Sequence, residues 1–404
     1  MKKIELLAPA GDRERLEAAI HFGADAVYFA GKKYGLRAFA DNFDEDGIKS
    51  AIDLCHENNV KAYITVNVLA HNKDFEGLVE YLKYLESCGV DGVIVNDLGI
   101  ALYVKKYTKL SLHVSTQANV TNKESAKLWT SLGAERLVLA RELSINEIKE
   151  IKEAVGEDVE IETFVHGAMC VSYSGRCLLS NYLTGRDSNK GECAQPCRWD
   201  YVLYRKNATD DTEEYLPFEE DERGSYILNS KDLCLVNHIK DLHDAGISSF
   251  KVEGRMKSTY YVANVINTYR RAIDNFYNVK EPDFDYVKEL EKCSNRAFTT
   301  GFYYEHDANI NLLSSKYKQT YDFIAVVIEN PKDGYVLVEH RNKFLKGDEL
   351  EVLSSSSSFN KILVLDEILD EEGNVIEEVK RVKQRVYIKT DLELSKGDIL
   401  RKKL

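Results

Sequence analysis

Apolar and polar positions along the first two thirds of the chain fall into two alternating periodicities. Short β-branched or aromatic runs are separated by longer amphipathic segments whose apolar residues recur at helical spacing. The short runs predict strands at Ile4–Ala8, Ala26–Ala30, Lys61–Val68, Gly92–Asn96, Leu110–Thr116, Arg136–Ala140, Glu160–Val165 and Ser249–Glu253. Stretches such as DRERLEAAIHFG, EDGIKSAIDLCHENN and SINEIKEIKEAVG supply the helices between them. Gly23, Asn59, Gly89, Gly133, Gly156 and Gly246 stand where helix C-caps belong. Asp12, Asp44, Asp74 and Ser144 stand at N-caps or in first turns.

Eight strands in alternation with helices predict an α/β fold, a (β/α)8 TIM-like barrel over residues 1–310. An open doubly wound sheet is the rival, but no G-x-G-x-x-G follows the first strand. The seventh strand-to-helix connection then carries a long insertion at about 167–230, with Cys234 opening the helix after it. From about Tyr321 the pattern changes to short alternating strands, which predicts a small C-terminal β-barrel domain over 319–404. Lys-Gly-Asp-x-Leu occurs twice, at Lys346–Leu350 and Lys396–Leu400, as two equivalent tight turns. The serine run Ser354–Ser358 reads as a solvated loop.

Composition narrows the class without fixing a partner. With 44% hydrophobic and 30% charged residues the chain reads as a globular protein of the cytoplasm, with no signal peptide and no membrane span expected. A net charge of −13 disfavours indiscriminate nucleic-acid binding and leaves only a local basic surface for RNA.

Five of the eight cysteines, Cys170, Cys177, Cys193, Cys197 and Cys234, crowd one loop-rich window. Cys55, Cys88 and Cys293 lie in helical patterns, as small buried hydrophobes. In a reducing compartment, clustered thiols point to metal or redox chemistry rather than disulfides. Radical-SAM chemistry needs Cys-x3-Cys-x2-Cys, and Asp200 stands at the third position. Only Cys193–Cys197 has zinc-knuckle spacing, so irregular spacing favours a 4Fe–4S cluster, with structural zinc as the alternative.

In a barrel the working residues stand at the C-terminal strand ends. Those positions include Asn67, Gln117, Arg141, His166, Glu253 and Arg255, with Arg37 on the same rim. Polar strand ends at a surface account for part of that set. Arg141 and Arg255 are candidate clamps for a carboxylate or phosphate, or else bridges to Glu142 and Glu253. His166 is a candidate proton carrier, a Cys–His partner of Cys170, or a structural histidine. Neither H-E-x-x-H nor G-x-S-x-G occurs.

The run Glu162-x-Phe164-x-x-Gly167-Ala168-Met169-Cys170-x4-Gly175-x-Cys177-x-Leu179-Ser180 resembles the signature of peptidase family U32, the collagenase-like proteins. ELLAPAG at Glu5–Gly11, GADAVYFAG at Gly23–Gly31, STQANVTN at Ser115–Asn122, NSKDLCL at Asn229–Leu235 and FKVEGRMKS at Phe250–Ser258 fit the same family. Members similar to this chain act in oxygen-independent hydroxylation, and the chain looks closest to the bacterial members that form 5-hydroxyuridine at the tRNA wobble position. The resemblance implies a 4Fe–4S cluster, prephenate as hydroxyl donor, and tRNA as partner, with a paralogous subunit in some members; a peptidase is the alternative. Carried over by position, Cys170, Cys177 and Cys234 match cluster ligands, with Cys193 preferred over Cys197 as the fourth. His166, Arg141, Arg255 and Glu253 are then the expected catalytic groups, and Arg37, Asn67 and Gln117 the contacts to a co-substrate. Arg198 and Arg205, or Lys380, Arg381, Lys383 and Arg385, are the candidate basic surfaces for RNA.

Overall fold

The computed structural model describes residues 3–36, 42–199, 204–206, 213–215, 230–304 and 317–404. The N-terminal half alternates strand and helix as β1 (Glu5–Pro9), α1 (Arg13–His21), β2 (Ala26–Phe29), α2 (Glu45–Glu57), β3 (Lys61–Val66) and α3 (Leu78–Cys88). It continues through β4 (Gly92–Val95), α4 (Leu98–Tyr107), β5 (Leu112–Val114), α5 (Lys123–Ser131), β6 (Ala134–Val138), α6 (Ile145–Val155) and β7 (Glu160–Ala168). After β7 come α7 (Leu179–Thr184), the hairpin β8 (Tyr204–Lys206) and β9 (Glu213–Tyr215), β10 (Asp232–Cys234), α8 (Ile239–Asp244) and β11 (Ile247–Val252). The long α9 (Thr259–Asn278), α10 (Tyr286–Leu290) and the short β12 (Phe298–Thr299) complete this part.

β1 to β7 pair in order and in parallel, and β11 bonds to both β7 and β1, which closes an eight-stranded barrel. Local signals set its frame. Asp12, Asp44 and Ser144 each accept a backbone N–H two or three residues into their helices, satisfying otherwise orphaned donors. All six expected C-cap positions have positive φ. The eight strand positions agree with the sequence pattern within a few residues, except that β7 runs on to Ala168.

That extension matters for the site. β10 pairs antiparallel with the end of β7, placing Cys234 opposite His166. Cys234 therefore ends a strand instead of opening a helix. β12 adds beside β10, so a small sheet continues from the barrel wall above β6.

The barrel interior is unusually polar. Arg136, 2% exposed, donates to Glu5 (2.6 Å), Glu160 (2.5 Å) and Glu162 (3.0 Å). Lys251 Nζ meets the other oxygen of Glu162 at 2.7 Å and lies 4.3 Å above the Tyr28 ring. Charges removed from water in this way are tolerated because each is paired and further hydrogen-bonded. They form a continuous column from the strand starts toward the C-terminal mouth.

The C-terminal domain comprises β13 (Tyr321–Val327), β14 (Tyr335–His340), β15 (Phe344–Leu345), β16 (Glu349–Leu353), β17 (Ile362–Val364), β18 (Ile368–Leu369), β19 (Glu378–Val379), β20 (Arg385–Lys389) and β21 (Ile399–Lys403). Seven of these pair antiparallel in the order β17-β16-β21-β13-β14-β20-β18 around a separate core, to which the edge strands contribute Leu363 and Ile368. The two Lys-Gly-Asp-x-Leu turns are equivalent: Asp348 accepts from Leu345 N at 2.9 Å and Asp398 from Ser395 N at 2.8 Å. At Gly397 (φ +100) a Cβ would lie 2.9 Å from the His21 ring, so this turn needs glycine to seat against α1.

The two parts are joined by a buried ionic knot. Arg401, 0% exposed, reaches Glu289 and Glu351 (both 2.6 Å), Asn264 (2.8 Å) and Asn360 (2.7 Å), linking β21 and β16 to α9 and α10. The serine run belongs in part to this interface: Ser355 and Ser357 are exposed, as a solvated loop would be, but its ends are not. Ser354 and Ser358 are fully buried, and the carbonyls of Ser354 and Ser356 accept from Arg271 at 3.0 and 3.1 Å.

Candidate functional site

The mouth of the barrel holds a small cavity of about 50 Å³. Asn67, Gln117, Arg141, Glu253 and Arg255, five of the residues singled out from strand ends, all line it. Lys251 and Thr65 line it too and were missed. Their signal was present: Lys251, Glu253 and Arg255 alternate, and alternate residues of a strand share one face. Arg37 lies outside the described residues.

Three cations and a single carboxylate thus face one enclosed space among the described residues. Arg255 is 5% exposed and donates to Thr65 Oγ1 (3.3 Å) and to the Leu36 carbonyl. Arg141 donates to Ala168 O at 2.8 Å and Ser174 Oγ at 3.1 Å, with its guanidinium over the Phe164 ring. Burial pushes the Lys251 pKa down, while the Glu162 carboxylate pulls it up; the net direction is down. Arg141 and Arg255, with Lys251 held on Glu162, give the cavity wall an excess of positive charge that suits an anion. At this volume the space admits one or two waters, so a larger anion must displace rim side chains.

The cysteine-rich segment lies across this mouth. A Cβ on Gly175 (φ +74) would sit 2.8 Å from the Gln117 carbonyl, so the loop between Cys170 and Cys177 packs directly on the rim. The Leu69 N–H donates to Asn189 O at 3.3 Å, fixing the far side of the segment to the end of β3. Ser188 Oγ and Asn189 Nδ2 both donate to the Cys177 carbonyl, at 2.6 and 3.2 Å. Ser180 Oγ accepts from Ala194 N at 3.0 Å, tying α7 to the Cys193 loop.

Cys197 has the thiols of Cys170, Cys193 and Cys177 within electrostatic reach; burial first, then these neighbours, raise its pKa against the pull of Arg198. Gln195 N points at Cys193 Sγ from 3.3 Å, the kind of backbone donor that stabilises a ligating thiolate. Cys234 ends β10 opposite His166. It is buried, its thiol is pushed up to about 12 by burial, and its polar neighbours are the Val236 backbone and Tyr269. The thiol neighbourhood of Cys197 thus shares Cys170, Cys177 and Cys193 with the expected ligand set, whose fourth member was Cys234.

Four thiols in one segment are soft donors of the kind that hold an iron–sulfur cluster or zinc. No three His, Cys, Asp or Glu side chains among the described residues are gathered closely enough in this structure to hold one metal ion.

His166 does not reach the cavity. A register shift in the β7–β11 pairing between Lys251 and Val252 breaks the facing alternation there. The ring packs among Tyr261, Tyr269 and Phe298, and burial depresses its pKa to about 3. The ring is thus enclosed in this structure, with its buried Nδ1 unpartnered among the described residues, and it stands outside the cavity where a proton carrier was expected.

Comparison with known proteins agrees with this architecture. Residues 11–312 match Peptidase family U32, and residues 319–401 match Peptidase family U32 C-terminal domain. The chain is 40% identical to tRNA hydroxylation protein P1 of Bacillus subtilis (strain 168), over 99% of this chain and 95% of that protein. It is 34% identical to tRNA hydroxylation protein P of Escherichia coli (strain K12), over 89% of this chain and 88% of that one. A protein named collagenase, from Porphyromonas gingivalis (strain ATCC BAA-308 / W83), is 32% identical over 74% of this chain and 73% of its own length. On the match along nearly its whole length, the chain belongs to peptidase family U32.

Proposed function

We propose that this protein is an RNA-modifying enzyme of the cytoplasm that hydroxylates tRNA, forming 5-hydroxyuridine at the wobble position with prephenate as hydroxyl donor. The observation that carries the reading is the end-to-end likeness to proteins named for tRNA hydroxylation, together with a cation-lined cavity beneath a four-cysteine segment.

Replacing C5–H of a uracil by C5–OH withdraws two electrons from the base. Ordinary side chains do not take up those electrons, so the reading requires a redox group that relays them, one at a time, to an external electron-acceptor protein, while the donor's C–OH bond breaks to deliver the oxygen. A 4Fe–4S cluster bound by Cys170, Cys177, Cys193 and Cys197 would supply electron transfer at the mouth of the barrel. The chain's own residues do the rest. Arg141, Lys251 and Arg255 offer positive charge to the carboxylates of the donor, and Arg141 also fixes the loop above it through Ala168 and Ser174. Glu253 is the carboxylate among them and accepts from Tyr28 OH at 3.4 Å, which places it to hold a proton at the cavity wall. Asn67 and Gln117 add neutral amide groups that can orient a bound ligand.

The peptidase reading fares worse on the same geometry. No histidine lines the cavity among the described residues, and His166 is enclosed elsewhere, so Cys170 has no imidazole to activate it there. The direct test is reconstitution. Protein purified without oxygen, assayed for iron and sulfide, is incubated with unmodified tRNA and prephenate. Product 5-hydroxyuridine with about four irons per chain supports the reading; gelatin cleavage abolished by Cys170→Ser, without hydroxylation, would replace it.

A further inference from the structure

Residues 170–199 carry an unusual surface for an acidic protein. They contain four basic residues (Arg176, Arg186, Lys190 and Arg198) and two acidic ones (Asp187 and Glu192), a local balance of +2 against −13 for the whole chain. The same stretch exposes large side chains that a monomer usually covers. Tyr182 is 85% exposed, Leu178 68%, Tyr173 50% and Trp199 45%. Aromatic rings with arginines between them, beside a cavity, are the equipment for holding an unpaired base by stacking while its phosphates are neutralised.

The placement gives this chemistry a direction. Tyr173 stands in the loop whose Gly175 packs on Gln117, and its neighbour Ser174 is bonded to Arg141, both cavity residues. α7, which carries Tyr182, packs against the turns at 188–190 and 196–198, so Trp199 follows directly from the same scaffold. Arg198 extends to Tyr317 OH at 2.9 Å, and Lys257 lies 4.1 Å over that ring, carrying positive charge onward to the loop after Arg255. The rest of the insertion has the opposite sign, nine acidic against three basic residues in 200–229, which confines an anionic partner to the first half.

We propose that the outer face of residues 170–199 is the docking surface for a single-stranded RNA loop, with Tyr173, Tyr182 and Trp199 as stacking platforms that feed one base into the cavity. This rests on the tRNA reading above and adds where the RNA binds. The C-terminal cluster Lys380, Arg381, Lys383 and Arg385 is the weaker candidate. Lys380 is already paired with Glu378, and Arg385 lies 3.8 Å from Glu339. Those pairings leave less net charge there for phosphates.

The test is binding of unmodified tRNA to anaerobically purified full-length protein, read by fluorescence polarisation at several salt concentrations. The double variant Tyr182→Ala/Trp199→Ala should weaken binding at least tenfold, since each stacked base contributes about 1–3 kcal/mol. Arg176→Glu should weaken it and flatten the salt dependence by about one unit of slope. Both should keep the parent's melting temperature and iron content. If the parent binds tRNA and both variants bind equally well, the docking surface is wrong while the tRNA reading survives. Loss of binding in Lys380→Glu/Arg381→Glu alone would move the RNA to the C-terminal domain. Should light scattering show that Tyr182→Ala/Trp199→Ala dissolves a dimer without altering tRNA affinity, the face is a protein interface and the proposal fails. A parent that binds no tRNA overturns both readings.

Discussion

Arg141 and Ser174 are hydrogen-bonded at 3.1 Å, and that bond joins two parts of the site that the sequence separates. One end lines the anion-receiving cavity, and the other sits between Cys170 and Cys177. The same guanidinium also holds Ala168 O at 2.8 Å, where β7 gives way to the cysteine segment. Cavity and thiols are therefore mechanically coupled through one planar, bidentate group.

Arg141→Lys keeps the charge and loses the fork. We expect turnover to fall at least tenfold and iron retention during anaerobic purification to drop, with the melting temperature shifted by only a few degrees. Iron content and turnover both equal to the parent would show that the coupling has no consequence.

Cysteine substitutions separate the two candidate fourth ligands. Cys197→Ser should lose most protein-bound iron. Cys234→Ser should retain it but lose about 1–3 kcal/mol of stability, because a hydroxyl replaces a buried thiol beside Tyr269. The reverse pattern of iron contents would restore Cys234 to the ligand set.

Histidine burial makes stability fall in acid. His166 titrates near 3 in the folded protein and near 6.5 when unfolded, so between those values the unfolded chain binds the extra proton. Stability from this group is complete above pH 6.5 and is lost as pH falls toward 3. Unfolding in urea at pH 4.5 should show a deficit of about 2–3 kcal/mol relative to pH 7 from this residue. His113, also depressed by burial, acts in the same direction. His166→Phe should reduce the difference between the two pH values; an unchanged difference would mean that the ring is hydrated.

Arg401 is the joint between the domains. Arg401→Met removes one of the two cations that Glu289 and Glu351 share, the other being Lys292, and breaking a buried ion network this way costs up to about 3–5 kcal/mol. Differential scanning calorimetry should show a large fall in melting temperature. Adding Glu351→Gln to Arg401→Met should recover part of it, since Glu289 then balances Lys292.

Much of this was legible before any coordinates. The eight strands announced themselves because each is a short apolar run bounded by a cap residue, and strand ends of a barrel share one mouth. That logic found Asn67, Gln117, Arg141, Glu253 and Arg255 together. It failed at His166, where a shifted register turns the side chain away, and no local pattern marks such a shift. It put Cys234 at the start of a helix because β10 arises only from pairing with the extended β7, a contact sixty-odd residues apart in sequence. Composition made Ser354–Ser358 look solvated, whereas Arg271 and the domain interface hold the run at Ser354 and Ser356 and bury Ser354 and Ser358. Lys251 was missed because the strand was read only at its end.

Nucleoside mass spectrometry of bulk tRNA from the source organism tests the central claim most directly. Deleting the gene should abolish 5-hydroxyuridine and nucleosides built on it; the parent gene should restore them and Cys197→Ser should not. Unchanged levels in the deletion strain, with no related protein taking over, would contradict the account.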